Sequence, residues 1–211
     1  MRAGIVLIGY SGHAYVVADS MQDNNLQILG YCDKEQKKEN PLELNYLGSE
    51  GGEKAHKILC NSYFFITIGD NSIREKVFQK LIKTPSYSTI QVAHHRNFIS
   101  KHVELGMGIY IGSNTSINAF SEISNGVICN TGCIIEHECK IGAFAHIAPG
   151  AVLAGNVEIG ERTFVGANSV IKQGVKIGKD VTIGAGSVVI NDIPDNITVV
   201  GNPARIIKPK I

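Results

Sequence analysis

A six-residue rhythm in the second half of the sequence constrains this chain more than any other feature. Counting from Ile99, the first position of sixteen successive hexads is Ile, Leu or Val, with Cys129 as the single exception. The fifth position of every hexad, from Val103 to Ile193, is small or β-branched. The phase never slips across ninety-six residues. One large and one small apolar slot, repeated this regularly, predict a solenoid with a narrow and continuous core.

The period itself indicates the kind of solenoid, because six-residue repeats are typical of a parallel β-helix. Each hexad makes one flat side and one corner, so three hexads close a triangular coil of eighteen residues. Glycines such as Gly112, Gly142 and Gly160 are predicted to permit tight backbone turns at the corners. Aromatic residues make up only 7% of the chain and tryptophan is absent, which suits a column too narrow for large rings.

The first part of the chain follows a different pattern, in which apolar strands alternate with glycine turns and helices. This order favours a small Rossmann-like βαβ sheet. Ser72 is expected to cap the helix that follows the third strand, and residues 34–62 are polar and predicted to be irregular. We therefore predict an α/β domain over residues 1–92 and a parallel β-helix over residues 93–211. The predicted strands of the first domain are Gly4–Ile8, Leu26–Tyr31, Tyr63–Ile68 and Tyr87–Val92.

Composition excludes several classes of partner. Twenty Lys and Arg against nineteen Asp and Glu give a formal charge of +1, which offers no electrostatic reason to expect nucleic acid or an acidic membrane surface. No stretch reaches eighteen apolar residues, so no transmembrane helix is expected. Five cysteines in no disulfide-like spacing, and a start that does not look like an export signal, favour a reducing cytoplasmic location.

Two kinds of motif carry a resemblance to a known family. Hexads of the form Ile-Gly-x-x-Thr/Ser/Ala-x, followed by Val200–Arg205, are similar to the hexapeptide acyltransferases. The turn Gly9–His13 and the segment Ile135–Cys139 narrow the resemblance to bacterial sugar acetyltransferases, which include UDP-4-amino-sugar N-acetyltransferases and proteins called sialic acid O-acetyltransferases. The resemblance covers nearly the whole chain. It implies a left-handed β-helix, acetyl-CoA as co-substrate without a metal, and a homotrimer.

His137 is the candidate catalytic residue. It occupies the third position of its hexad, where side chains point outward, and Glu138 follows it directly. An adjacent carboxylate can hold the tautomer of an imidazole and raise its basicity. Gly155 stands one coil further on and leaves space beneath the ring. By position alone, a solvated surface histidine explains the pattern equally well. The resemblance implies that His137 is a general base and that Glu138 strengthens it.

The expected acetyl-CoA site lies in the same β-helix. Ala167 and Ala185 are eighteen residues apart and should stack on adjacent coils. His146 is half a coil from His137, so within one chain the two histidines belong to different parts of the triangle. An exposed loop histidine is the alternative explanation for His146. The resemblance implies these cofactor-binding residues: His146, Gly155, Ala167 and Ala185.

A zinc site is the competing interpretation of this stretch, but it is not the one we favour. The two cysteines fall in the inward fifth slot while the two histidines point outward, so the four side chains cannot converge. His94 and His95, at the junction of the two predicted domains, receive no role. The four residues of the competing zinc interpretation are Cys133, His137, Cys139 and His146.

The turn Gly9–His13 predicts a binding site for a phosphate-bearing ligand. It has two glycines where a dinucleotide fingerprint has three, yet a strand that enters such a turn before a helix makes an anion site. A plain strand–helix turn is the alternative, and NAD is disfavoured because the resemblance assigns this turn to a nucleotide sugar. The resemblance implies these substrate-binding residues: Ser11, Gly12, His13, Asp33, Lys34 and Gly69.

The predicted function is acetyl-CoA-dependent N-acetylation of a nucleotide-linked 4-amino-4,6-dideoxy sugar, with UDP as the expected nucleotide. Transfer is direct, with a histidine base and no acyl-enzyme. Three alternatives stay open at this point. They are O-acetylation of sialic acid or a related sugar, a metal-dependent hydratase on the same column, and a trimer that binds a nucleotide sugar without catalysis.

Overall fold

The computed structural model describes residues 4–209, and the chain divides between His95 and Arg96 into two compact units. The N-terminal unit consists of short strands and three helices. Its strands are β1 (Ile5–Ile8), β2 (Ile28–Cys32), β3 (Tyr63–Ile66), β4 (Ser88–Thr89) and β5 (Val92–Ala93), and its helices are α1 (Gly12–Asp23), α2 (Glu53–Leu59) and α3 (Asn71–Ile82).

A four-stranded parallel sheet organises this unit, in the order β2-β1-β3-β4. Strand β1 is buried along its whole length, as expected for a central parallel strand covered on both faces. Its residue Leu7 pairs with Tyr31 on one side and Phe65 on the other. Helix α1 adds Val17 and Met21 to the same core. The predicted Rossmann-like α/β fold is confirmed.

Two local predictions in this unit are wrong. Helix α3 is capped by Asp70, whose Oδ1 accepts the Ile73 N–H at 2.8 Å, and not by Ser72. Ser72, with Glu75 three residues later, matches the capping-box pattern but lies inside the helix. Helix α2 lies inside the stretch that we expected to be irregular. It buries only Ala55 and Leu59, so its sequence shows no clear apolar stripe.

The C-terminal unit is built from sixteen two-residue strands, one in each hexad, followed by two longer strands. Each of the sixteen ends on the first position of its hexad. They are β6 (Phe98–Ile99), β7 (Glu104–Leu105), β8 (Tyr110–Ile111), β9 (Ser116–Ile117), β10 (Glu122–Ile123), β11 (Ile128–Cys129), β12 (Ile134–Ile135), β13 (Lys140–Ile141), β14 (His146–Ile147), β15 (Val152–Leu153), β16 (Glu158–Ile159), β17 (Phe164–Val165), β18 (Val170–Ile171), β19 (Lys176–Ile177), β20 (Thr182–Ile183) and β21 (Val188–Val189), before β22 (Ile197–Gly201) and β23 (Ala204–Pro209).

Every third strand joins the same sheet, so the unit has three parallel sheets. Pairs such as Ile128↔His146 and Ile134↔Val152 are eighteen residues apart. One sheet runs from β7 to β19, another from β6 to β21, and the third contains β8, β11, β14, β17, β20 and β22, with β23 antiparallel to β22. The prediction of a left-handed parallel β-helix is confirmed.

The interior of the column follows the predicted slots. Ile117 and Ile147, at first positions, and Ala145, at a fifth position, are completely buried. Polar residues in fifth slots hydrogen-bond to backbone carbonyls of a neighbouring coil. Thr163 Oγ1, for example, donates to the Gly178 carbonyl at 2.7 Å. A buried hydroxyl is therefore accommodated without loss of hydrogen bonding.

The corner glycines serve a different purpose from the one predicted. The backbone turns at the fourth position of each hexad, where every residue from Gly108 to Gly186 has φ between 55° and 73° whatever its type, including Glu138. Glycines at second positions have another reason to be there. A Cβ on Gly142 would lie 2.7 Å from the Glu161 nitrogen of the next coil, so the close stacking of coils excludes a side chain.

Within residues 4–209, no helix is long and apolar enough to cross a membrane. All five cysteines are free thiols. Four of them are buried and only Cys60 is partly accessible. This part of the chain is therefore held together without disulfides.

Candidate active site

His137 stands at a corner of the column, two residues after the end of strand β12. Its Nδ1 lies 2.9 Å from Glu138 Oε2, and the two side chains are 51% and 61% exposed. A pair this exposed adds little to stability. Its consequence is orientation, because a carboxylate can only accept a hydrogen bond from the ring and so fixes the proton on Nδ1. The Nε2 lone pair is left to accept a proton.

Gly155 lies directly against this imidazole. A Cβ built on Gly155 would be 2.5 Å from His137 Cε1 and 2.6 Å from Nε2. The ring therefore occupies the space that any side chain at 155 would need. The Gly155 N–H donates no hydrogen bond within residues 4–209. The corner thus presents a base and a backbone donor side by side.

Two fifth-slot residues hold this corner from inside the column. Ser121 Oγ donates to the Glu136 carbonyl at 2.8 Å, and Cys139 Sγ donates to the Ala154 carbonyl at 3.2 Å. Burial raises the pKa of the Cys139 thiol to about 11, so it keeps its proton and remains a donor. These two carbonyls immediately precede His137 and Gly155. The repeat pattern predicts both residues as core residues but does not predict these hydrogen bonds.

The competing zinc interpretation has no geometric support. Cys133 and Cys139 are completely buried, whereas His137 is half exposed. The three side chains therefore point to opposite sides of the sheet wall.

His146 lies on strand β14, half a coil from His137. Its Nε2 is 3.1 Å from Asn130 Nδ2. Asn130 Oδ1 accepts the Thr131 N–H at 2.8 Å, which turns the amide NH2 toward the ring. Nε2 is therefore an acceptor and the proton sits on Nδ1. The ring also packs edge-on against Phe164, with centroids 5.1 Å apart.

Ala167 and Ala185 lie at a different corner from His137. They follow strands β17 and β20, which share a sheet that does not contain β12 or β15. The predicted stacking is present, because the Gly186 N–H donates to the Ala167 carbonyl at 2.8 Å. One chain thus brings His137 and Gly155 together but places the two alanines elsewhere on the triangle.

A cavity of about 440 Å³ opens in the N-terminal unit at the carboxyl ends of β1, β2 and β3. Helix α1 begins at this cavity, and its N-cap Ser11 makes no side-chain capping hydrogen bond. First-turn N–H groups and the helix dipole together favour an anion here. Four of the predicted substrate-binding residues line the cavity: Ser11, Asp33, Lys34 and Gly69.

Asp33 organises one wall of the cavity. Its Oδ2 accepts the Tyr10 N–H at 3.0 Å, and its Oδ1 accepts the Lys34 N–H at 2.7 Å. Lys37 Nζ lies 3.3 Å from the same carboxylate. A carboxylate after the second strand is the usual partner of a ribose hydroxyl in nucleotide-binding α/β sheets. Tyr10 itself is buried and stacks on Tyr31, with ring centroids 4.2 Å apart.

The other two predicted residues, Gly12 and His13, are not among those that line the cavity. Gly12 is exposed at the start of α1, and His13 is partly buried. Burial, reinforced by the charge of Arg74, lowers the pKa of His13 to about 4. His13 is therefore neutral at neutral pH.

Arg74 is a residue of this region that the sequence did not reveal. It is 2% exposed. Its Nη1 donates to the carbonyls of Ile68 and Gly69, at 3.1 and 3.0 Å, and its Nη2 donates to Asn71 Oδ1 at 2.8 Å. The guanidinium thus fixes the chain that lines the cavity after β3. A lone Arg on a helix gives no sequence signal of burial.

Comparison with known proteins identifies the family. Residues 4–81 match the PglD N-terminal domain, and residues 156–191 match the six-repeat bacterial transferase hexapeptide model. The structure of PerB from Caulobacter crescentus in complex with CoA and GDP-perosamine is 34% identical and superposes with a TM-score of 0.90 over 98% of both chains. The chain belongs to the hexapeptide-repeat sugar acetyltransferases. The family predicted from the sequence is confirmed.

Other members of the family resemble the chain to a similar degree. The acetyltransferase domain of PglB from Neisseria gonorrhoeae FA1090, in complex with acetyl coenzyme A, is 28% identical, with a TM-score of 0.91 over 98% of this chain and 100% of that one. A GDP-perosamine N-acetyltransferase of Escherichia coli O157:H7 is 33% identical over 95 residues, which are 45% of this chain and 42% of that protein. The chain thus matches less than half the length of this curated relative, and 24% of an uncharacterized mimivirus protein.

Proposed function

We propose that this chain transfers the acetyl group of acetyl-CoA to the amino group of a nucleotide-linked 4-amino-4,6-dideoxy sugar, with His137 as the general base. One observation carries the proposal. An imidazole oriented by Glu138 stands over the bare backbone of Gly155, in a chain that matches a CoA-bound sugar acetyltransferase over 98% of its length. Acetyl-CoA is the donor, as it is the ligand of the PglB domain.

The chemistry follows from the lone pair on Nε2. As the sugar nitrogen attacks the thioester carbonyl, a C–N bond forms and His137 Nε2 takes one proton from nitrogen. Glu138 holds the other ring proton and stabilises the imidazolium that results. Collapse of the tetrahedral intermediate breaks the C–S bond, and the imidazolium returns its proton to the departing CoA sulfur. A base placed in this way contributes roughly 10²–10⁴-fold.

The backbone at Gly155 has a separate role in this scheme. Its N–H is a donor at the edge of the imidazole, where negative charge develops on the carbonyl oxygen during attack. Its missing side chain leaves the imidazole in place and the thioester within reach. Positioning of both substrates supplies the remainder of the acceleration.

The N-terminal cavity is the proposed nucleotide site. The start of α1, with Ser11, faces the phosphates. Asp33 and Lys34 face the ribose, and Gly69 allows close approach of the ligand. The nucleotide expected from the sequence, UDP, is not confirmed. The structure of PerB from Caulobacter crescentus contains GDP-perosamine, so GDP is the first nucleotide to test in the acceptor.

A homotrimer accounts for the distribution of the predicted residues. His137 and Gly155 lie at one corner of the column, and Ala167 and Ala185 at another. If all four act on one acetyl-CoA, the corner of one chain must meet the other corner of its neighbour, and a closed ring of three chains satisfies this. Light scattering of the purified protein should give a mass of three chains.

The test is acetyl transfer measured as free thiol release from acetyl-CoA, with a panel of acceptors. The panel contains GDP- and UDP-linked 4-amino sugars, and free and CMP-linked sialic acid. We expect activity with a nucleotide-linked amino sugar and a loss of at least about a hundredfold in His137→Ala. The matched control is His102→Ala, an exposed histidine of the same column that stacks on Phe120. Acetylation of sialic acid alone would replace the proposed acceptor, and no turnover with any acceptor would favour a binding protein.

A further inference from the structure

Three potential metal ligands meet at the end of helix α1, and none of them belongs to the two sites described above. Asp23 Oδ2 lies 3.1 Å from His94 Nε2 and 4.0 Å from His95 Nδ1. One ligand atom from each of the three residues lies within 4.8 Å of the others. The two imidazoles stack with centroids 4.5 Å apart. Residues distant in sequence therefore place two imidazole nitrogens and one carboxylate around a common point.

The backbone around this cluster is fixed by a neighbouring side chain. Asn24 Nδ2 donates to the Ser20 carbonyl of α1 and to the Ala93 carbonyl, both at 2.8 Å. This amide ties the last turn of the helix to the residue immediately before His94. The backbone near Asp23 is therefore already held close to the backbone near His94.

The electrostatics of the helix end call for a cation. Asp23 is the last residue of α1, where the helix dipole is negative and a carboxylate is unfavourable. No basic residue occupies the last turn. A positive charge bound between Asp23 and the histidines would relieve this repulsion. A metal ion at this point would face the Asp23 carboxylate and the partial negative charge of the helix C-terminus.

We propose that Asp23, His94 and His95 form a binding site for a divalent transition-metal ion, with Zn²⁺ as its natural probe. In tetrahedral zinc sites with bonds of about 2.0–2.1 Å, ligand atoms lie roughly 3.3 Å apart. The Asp23–His94 distance already fits, and His95, which is 46% exposed, must approach by about 1 Å. Two imidazoles and one carboxylate suit zinc rather than magnesium or calcium. Water completes the coordination.

The role of such an ion is structural. The proposed acetyl transfer uses none of these three residues. The metal would clamp the end of α1 to the segment that closes the N-terminal unit at His95. Binding to the folded state alone then raises the melting temperature of that unit.

The experiment uses the full chain, treated with a chelator and titrated with Zn²⁺ by calorimetry. We expect one ion per chain, a rise in melting temperature, and binding weakened by about a hundredfold in Asp23→Asn and in His94→Gln. His102→Gln is the matched control and should bind as the unmodified chain does. Co²⁺ in place of Zn²⁺ should give the visible absorption of a four-coordinate site.

The proposal is independent of acetyl transfer, since the variants should acetylate at the normal rate. His95→Gln removes the most exposed ligand, so its binding remains informative if His94→Gln fails to fold. Absence of Zn²⁺ binding, or binding that survives both Asp23→Asn and His95→Gln, would overturn the site. So would a melting temperature that responds to pH at this cluster but not to Zn²⁺, because a proton would then be its only cation.

Discussion

Replacing Gly155 by alanine should disable His137 while residue 137 itself stays histidine. The new Cβ would lie 2.5 Å from His137 Cε1 and 2.6 Å from Nε2, whereas carbon atoms in contact need about 3.5 Å. The imidazole must therefore move by about 1 Å. A displacement of this size at a reacting group costs about a hundredfold in rate. We expect kcat to fall by about that factor in Gly155→Ala, with KM for both substrates little changed.

The stability of this variant should stay close to that of the unmodified chain. Gly155 does not have a positive φ, so alanine fits its backbone and gains about 0.4–1 kcal/mol from the unfolded state. The His137–Glu138 pair that it disturbs is half exposed and worth at most about 1 kcal/mol. Urea unfolding should therefore separate a catalytic effect from a folding defect.

Thiol release under saturating substrates is the assay, with Gly51→Ala as the matched control. That glycine also has an ordinary φ, and its new methyl would meet only the flexible Lys80 Nζ at 3.4 Å. The decisive measurement is the double variant. If Gly155 acts through the imidazole, Gly155→Ala should change turnover less than about twofold when His137 is already alanine. A full hundredfold loss in that background, or normal activity in the single variant, would refute the argument.

Three further predictions address the pair at His137 and the support of the N-terminal cavity. Glu138→Gln keeps a hydrogen-bond acceptor for His137 but removes the charge that stabilises the imidazolium, so kcat should fall about tenfold with KM unchanged in steady-state assays. Arg74→Met leaves the Ile68 and Gly69 carbonyls without their buried donor, and urea unfolding should show a loss of about 3 kcal/mol together with a higher KM for the nucleotide sugar. The pKa of His13 falls from 6.5 unfolded to about 4 folded, so the unfolded state binds more protons between these values. The free energy of unfolding should therefore drop by about 3 kcal/mol as pH falls through that window, and His13→Gln should remove this slope.

The column could be predicted in detail because its rules are strictly local. Each hexad must present the same inward slots, so the sequence repeats a pattern that can be counted. The eighteen-residue coil then follows, and it places Gly155 against His137 by arithmetic alone. The structure adds side-chain hydrogen bonds that the spacing of the repeat does not predict. Ser121 and Cys139 satisfy the slot rule as ordinary small residues, and their hydrogen bonds to the carbonyls before His137 and Gly155 depend on three-dimensional stacking.

The N-terminal unit was predictable only in outline. Its central strands are continuous apolar runs, and β1 was located almost to the residue. Burial of Arg74 could not be predicted, because the carbonyls of Ile68 and Gly69 accept from its guanidinium only when the turn after β3 folds back against α3. The cluster of Asp23 with His94 and His95 joins residues about seventy positions apart, and only the folded sheet brings them together.

Because residues eighteen apart are paired, successive coils of the column are stacked about 4.8 Å apart. Loss of a single residue would turn every later inward side chain toward solvent. Removal of one full eighteen-residue coil between Gly155 and Ala185 would instead keep every inward position in phase. It would bring Ala185 one coil closer to the level of His137. The distance along the column between the corner at His137 and the level of Ala185 can therefore change only by whole coils.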